Sequence, residues 1–289
     1  MANVSMEMVK ELREKTQIGM MDCKKALEES NGDMEKAIDI LRKKGAAIAS
    51  KRADYATNNG RIEAYIDQNA QSGALIQVGC ETDFSANTAA MQDFCLNIAK
   101  GALETKETNP EALEAKLPEL KKQHDEILAK IAEKIHINKI AVLTVQTHGL
   151  INYYIHPGSQ VGIIIELATE HDASKNIDEL KAIARNVCMH IAVRNPLAVQ
   201  PQDLDPALIA KEREIALDQL KDSKKPANIL DKIIDGKINK YYSDVCLINQ
   251  LYIKNEDQTI EQYIKEESGK IKNTITIKRF SHFIVGQAK

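Results

Sequence analysis

The chain contains no tryptophan and only 4% aromatic residues, so it lacks an obvious set of stacking platforms for single-stranded nucleic acid. Surplus positive charge is missing too: 39 Lys and Arg stand against 42 Asp and Glu, a formal charge of −3. Binding phosphate means replacing its condensed counterions with many cations. Direct nucleic-acid binding is therefore disfavoured as the main role, although a local basic face stays open. The five cysteines, Cys23, Cys80, Cys95, Cys188 and Cys246, are scattered, odd in number and without a C-x-x-C pair. That pattern suggests no disulfide framework and fits a reducing compartment. No apolar run approaches the roughly 20 residues of a membrane span. The start, Met1 to Glu7, has neither the basic residues nor the apolar stretch of a signal peptide. A cytoplasmic protein with no membrane partner is expected.

Signatures of chemistry are also missing. There is no Gly-x-x-x-x-Gly-Lys-Ser/Thr loop and no Gly-x-Gly-x-x-Gly turn to cradle nucleotide phosphates. Neither a Gly-x-Ser-x-Gly elbow nor a His-Glu-x-x-His helix occurs. Cys188 and His190, two apart on an expected helix, point to different faces, which argues against a shared metal. The expectation is a protein that is not an enzyme in the covalent sense and uses no cofactor or metal.

What is present is an α+β pattern in 289 residues, 43% of them hydrophobic, enough for two or three compact units. Apolar stripes at Met8, Val9 and Leu12, at Cys23, Ala26 and Leu27, and at Met34, Ala37, Ile38 and Leu41 predict three short helices over 5–44. Asn31-Gly32-Asp33 ends the second and offers Asp33 as N-cap of the third. Residues 1–55 read as a three-helix domain and linker, 56–145 as one core subdomain and 146–289 as another. Strand, turn, strand and helix occur twice. With Gly60 set on Gly149, 89 residues on, Ile62, Tyr65, Ile66, Gly73, Leu75, Ile76, Glu81 and Asp83 meet Ile151, Tyr154, Ile155, Gly162, Ile164, Ile165, Glu170 and Asp172. The core is an internal duplication of α/β units with antiparallel strands. Between the copies a charged helical stretch is expected from Pro110 to about Ile135, then a strand Ile140–Val145. Asp205-Pro206 opens an antiparallel helical hairpin over 204–242, turning at Ser223-Lys224-Lys225-Pro226. Self-packing of its two helices is the simpler reading, and packing on another molecule is the alternative. A strand at Thr274–Phe280 is expected to return to the core.

Within this frame Phe84 stands out, because its counterpart at the offset of 89 is Ala173, so the scaffold can be built without a large aromatic there. A carboxylate beside an aromatic at an exposed tip, Asp83-Phe84, suits wedging into a partner; the competing reading is a packed Phe84. Paired-carboxylate catalysis is disfavoured because Glu81 is expected to face away or along the strand end. Met20 and Met21 could offer flexible thioethers to a partner, with packing into the small domain's own core the favoured reading. His156, ending a strand before Pro157-Gly158, sits where a side chain reaches a partner or is simply exposed.

Several of these segments resemble one family in its own order. Val9-Lys10-Glu11-Leu12-Arg13-Glu14-Lys15-Thr16, Gly19-Met20-Met21-Asp22-Cys23-Lys24-Lys25-Ala26-Leu27 and Asn31-Gly32-Asp33 resemble the N-terminal signature of bacterial elongation factor Ts. Thr82-Asp83-Phe84, Tyr154-Ile155-His156, Met189-His190-Ile191-Ala192 and Lys225-Pro226 follow. The resemblance implies a ubiquitin-associated-like three-helix domain, a core of two related subdomains and an inserted helical hairpin. It implies a guanine-nucleotide exchange factor for elongation factor Tu, working by displacement. On this resemblance Thr82, Asp83, Phe84 and Ser85 enter the GTPase domain of the partner and disturb its magnesium site. Leu12, Ile18, Gly19, Met20, Met21 and His156 then make further contacts. A homodimer or a 2:2 complex through the hairpin is left open, and an interaction scaffold or an RNA-binding accessory factor are the competing classes. The sequence departs from the family at Ser85, where a small apolar residue is usual, and at Ile131-Ala132-Glu133-Lys134-Ile135, which replaces a more usual Ile-Gly-Glu-Asn-Ile. The long C-terminal helix of some members is also not expected after Phe283.

Overall fold

The computed structural model describes residues 4–16, 18–52, 54–220 and 226–287. It opens with α1 (Met6–Thr16), α2 (Met20–Glu29) and α3 (Met34–Lys51). The three expected stripes meet in one small core of Val9, Leu12, Cys23, Ala26, Leu27, Ala37 and Leu41. Asp33 caps α3 as expected, accepting from the Lys36 amide at 3.1 Å. α3 runs on to Lys51, so the stretch from Gly45, expected as a connecting helix or linker, begins as helix, in keeping with its alanines.

The first half of the core contains β1 (Asn59–Ile66), β2 (Ser72–Cys80), the single turn α4 (Asp83–Ala86), α5 (Ala89–Thr105), α6 (Pro110–Lys116), α7 (Pro118–Ile131) and β3 (Ile135–Thr144). The charged helical stretch is made of two helices. Pro118 disfavours helical geometry at Leu117 and donates no backbone hydrogen bond, so the chain turns there and restarts. The second half contains β4 (Gly149–Ile155), β5 (Val161–Thr169), α8 (Ile177–Arg194), the hairpin helices α9 (Pro206–Asp218) and α10 (Ala227–Val245), β6 (Leu251–Tyr252), β7 (Asn255–Thr259), α11 (Ile260–Ile271) and β8 (Ile275–Ile284). The hairpin turn expected at 223–225 lies outside the described residues.

Two three-stranded antiparallel sheets result, ordered β1-β2-β3 and β4-β5-β8, beside the small pair β6-β7. Their registers match at the offset of 89: Gly60 pairs with Gly79 and Gly149 with Ala168, Ile62 with Gln77 and Ile151 with Glu166. Even the irregularity repeats, after Gln77 in one copy and after Glu166 in the other. The duplication therefore includes a third strand that the sequence pattern did not align, because β8 lies 140 residues after β3. β3 starts five residues before the expected Ile140.

The sheets join through reciprocal contacts. The Ile62 amide donates to the Ser159 carbonyl at 2.8 Å and the Ile151 amide to the Ala70 carbonyl at 2.7 Å. Gln160 Nε2 donates to the Gly60 carbonyl at 2.8 Å and Gln71 Nε2 to the Gly149 carbonyl at 3.1 Å. Ile62, Leu75, Leu143, Ile151 and Ile164 fill the space between the sheets. Gly60 and Gly149 have φ of 158° and 144°, and a Cβ on either would collide with the carbonyl of Val78 or Leu167. Only glycine fits both places. The outer face of each sheet is covered by helices: α5 and α7 on one, α8 and α11 on the other.

Candidate functional site

The segment after β2 is built to hold one side chain in the open. Thr82 Oγ1 caps α4 by accepting from the Ser85 amide at 3.3 Å, and Thr88 caps α5 by accepting from the Met91 amide at 3.2 Å. Asp83 Oδ1 accepts from the Phe84 amide at 3.0 Å. Ser85 and Ala86 point inward and are buried. Phe84 points the other way and is 84% exposed, the most open of the large hydrophobic side chains among the described residues. The packed reading of Phe84 is thus overturned: one helical turn with Ser85 and Ala86 facing the core leaves residue 84 on the outside.

The base of this tip is braced by residues to which the sequence assigned no such role. Glu133 takes both hydrogens of Thr82, accepting from the hydroxyl at 2.8 Å and from the amide at 3.2 Å. Glu81 pairs with Arg52 at 2.7 Å and accepts from the Lys134 amide at 2.6 Å. Asn59 Nδ2 donates to the Glu81 carbonyl at 2.7 Å. The Cys80 thiol donates to the Thr82 carbonyl at 3.1 Å. Burial, with Glu133 adding to it, pushes that thiol up to about 11, so it stays protonated and acts as a donor rather than a nucleophile. A signal for Glu133 was present: Ile131, Ile135 and Ile137 recur as Ile271, Ile275 and Ile277 at the third-strand offset of 140.

The other candidates divide. His156 is exposed at the end of β4, with Nδ1 3.0 Å from the Tyr154 hydroxyl. The turn it opens docks on β1 through Ser159 and Gln160, so His156 and the Phe84 tip share one end of the double sheet. At the α1–α2 corner the two methionines separate: Met20 packs on the three-helix core, whereas Met21 is 66% exposed. Gly19 is exposed and Ile18 half-buried. Leu12 is wholly buried beneath them. Expected as a contact, it reaches no surface, because it is the centre of the α1 stripe; its role is to hold the corner in shape. Ser85 is likewise a support for the tip rather than a contact.

Cys188 and His190 are both buried and face different partners, as expected. His190 Nε2 donates to Gln250 Oε1 at 2.9 Å, and Nδ1 accepts from the Ile253 amide at 3.3 Å. Burial holds this imidazole down to about 4, with the nearby Arg194 charge acting in the same direction against the Gln250 hydrogen bond. Among the described residues no group of three or more His, Cys, Asp or Glu is placed to hold a metal. No described helix is long and apolar enough to cross a membrane.

An aromatic fixed in water on a capped, internally braced turn, with supporting carboxylates consumed in the bracing, is suited to docking into another macromolecule. The class is an α+β protein with a duplicated core and one displayed aromatic. Comparison with known proteins agrees: the family model for elongation factor TS matches residues 81–287. Similar proteins include elongation factor Ts of Clostridium botulinum (strain 657 / Type Ba4), 39% identical over 98% of this chain and 93% of that one. Those of Clostridium perfringens (strain SM101 / Type A) and Trichlorobacter lovleyi are 38% and 35% identical, over 98% and 96% of this chain and 93% and 91% of theirs. The chain belongs to the elongation factor Ts family, whose members are factors of translation elongation.

Proposed function

We propose that this protein is the guanine-nucleotide exchange factor of elongation factor Tu, and that it promotes GDP release by inserting the Thr82–Ser85 tip beside the magnesium and phosphate site of that GTPase. Family membership supports exchange on elongation factor Tu; the observation that carries the insertion reading is Phe84, held 84% exposed on a braced turn. Exchange follows from linkage. A factor that binds the nucleotide-free GTPase more tightly than the GDP form weakens GDP by the same ratio, with no covalent step. Magnesium bridges phosphate oxygens and carries much of the local charge, so moving its ligands loosens the diphosphate.

In this reading 1–55 is a gripping domain, 56–145 carries the wedge, and 146–289 with its hairpin 204–242 completes the core. Asp83 and Phe84 are the contacts of the tip, with Thr82 and Ser85 shaping it. Gly19, Ile18, Met20 and Met21 grip a second face, and His156 contacts the GTPase domain from the same end of the core as Phe84. The partner is a protein, met in the cytoplasm where translation runs. The hairpin packs on itself through Ala216, Ile234 and Ile238 and turns Leu208, Ile215, Leu217 and Ile229 outward, which supports association with a second copy. The test is release of labelled GDP from elongation factor Tu with and without this protein. Acceleration is expected; an unchanged rate overturns the reading.

A further inference from the structure

Three observations converge on α7. First, α3 crosses it at a point where Gly45 lies so close to Ala129 that a Cβ on Gly45 would collide with the Ala129 backbone. A glycine inside a helix costs roughly 0.5–1 kcal/mol relative to alanine, so its fit here is a matter of the crossing rather than of α3 itself. Second, Arg42 on α3 pairs with Glu126 one turn earlier on α7. Third, the chain leaving α7 supplies Glu133, which clamps Thr82, and Lys134, whose amide binds Glu81. The far end of α3 reaches the same place: Arg52 pairs with Glu81 at 2.7 Å, and Lys134 Nζ donates to the Tyr55 carbonyl at 3.2 Å.

We infer that α7 is a bracket that fixes the distance between the Gly19–Met21 corner and the Phe84 tip, with Gly45 as the positioning residue of the joint. The inference rests on the proposed exchange function for its use and on α7 alone for its geometry. A partner gripped at two points benefits only if their spacing matches its own, because the second contact then forms at high effective concentration. A loose joint loses that advantage while leaving each contact intact. Helices with a small residue at the crossing approach more closely than any others, so even one methyl group must push α3 away from α7.

The test uses the full chain with cysteines introduced at the exposed positions Glu35 and Glu111, one on each side of the joint, and a label on each. The five native cysteines are all buried and label poorly. Distance distributions are measured between the labels with Gly45 and with Gly45→Ala. Alanine strengthens an isolated helix, so any loosening comes from the joint. A longer or broader distance is expected in Gly45→Ala, with unchanged circular dichroism. The half-saturating concentration for stimulated GDP release should rise about tenfold, while the rate at saturation stays within about twofold. Gly45→Ser is a second small variant and should behave alike. An unchanged distance in both variants overturns the bracket, as does a looser distance with unchanged half-saturation. If the parent protein does not stimulate release at all, the exchange reading falls, and the distance result alone decides the bracket.

Discussion

Thr82 and His171 occupy the same place in the two halves of the core, each two residues beyond the end of the central strand. Cys80 donates to the Thr82 carbonyl at 3.1 Å and Thr169 to the His171 carbonyl at 2.7 Å. Glu133 accepts from the Thr82 amide, and Asn273, in the matching place after α11, accepts from the His171 amide at 3.0 Å. Glu81 and Glu170 are bound in turn by Lys134 and Thr274. One clamp is thus built twice. The loops then diverge: Asp83–Ala86 forms a full α-turn and throws Phe84 outward, whereas Asp172 draws in the amide and hydroxyl of Ser174 at 3.0 and 2.6 Å and Ala173 turns into the core, 5% exposed. The buried small residues of the first loop are Ser85 and Ala86, one and two positions later. So Phe84 has no structural counterpart, and Ala173 is not its vacant seat. A scaffold needs the clamp; only one copy uses it to display a side chain.

The largest expected effect strikes what the copies share. Gly60→Ala and Gly149→Ala each force a Cβ into the backbone of the paired strand and should each cost about 2–4 kcal/mol, read from denaturant midpoints. Equal losses would confirm that the halves are built alike, while a neutral result at either position would break the comparison. Next comes the place where they differ. Ala173→Phe should lose roughly 1–3 kcal/mol by overpacking a filled core, whereas Phe84→Ala should stay within about 0.5 kcal/mol of the parent. Similar losses for both would mean the two loops share one environment.

The most deeply buried imidazole, His190, lies in the second half. With His190 near 4 in the folded chain and about 6.5 unfolded, the unfolded state holds more protons between those values. Stability from this group is complete above about pH 6.5 and is lost as pH falls toward 4, at up to about 1.4 kcal/mol per pH unit. His190→Gln should flatten that part of the pH–stability curve measured by urea unfolding; an unchanged slope would assign it to other groups. The smallest effect concerns the paired helix ends at Ala132 and Lys272, with φ of 58° and 53°. Neither suits the left-handed region, so Ala132→Gly and Lys272→Gly should each stabilise by about 0.5–1 kcal/mol in thermal unfolding. A loss at Ala132 would show that its methyl group contributes packing to the tip.

Much of this was legible because alternation and helical stripes repeat at a fixed offset, and eight matched positions brought out two strands of each sheet. Both third strands were expected, but their equivalence stayed hidden because unequal insertions separate them from their partners, leaving Ile135 and Ile275 at a different spacing. The break at Leu117-Pro118 is readable from proline chemistry, since proline disfavours helix at the residue before it. At the site, Phe84 was found by its mismatch with Ala173, although the reason was different: the loops differ in path rather than in the size of one side chain. Glu133 could not be found by nearness in sequence, since a clamp 51 residues from Thr82 exists only once β3 has paired with β2. Leu12 shows the converse, a motif residue whose stripe position already marked it as core.

On the proposed function Phe84 acts on a partner and not on the fold. Stopped-flow release of labelled GDP from elongation factor Tu, driven by saturating parent or Phe84→Ala protein of matched thermal stability, tests it directly. Loss of an exposed aromatic anchor worth about 2 kcal/mol or more predicts a fall in stimulated release of about thirtyfold or more. Stimulation equal to the parent's by a folded Phe84→Ala protein would contradict the account.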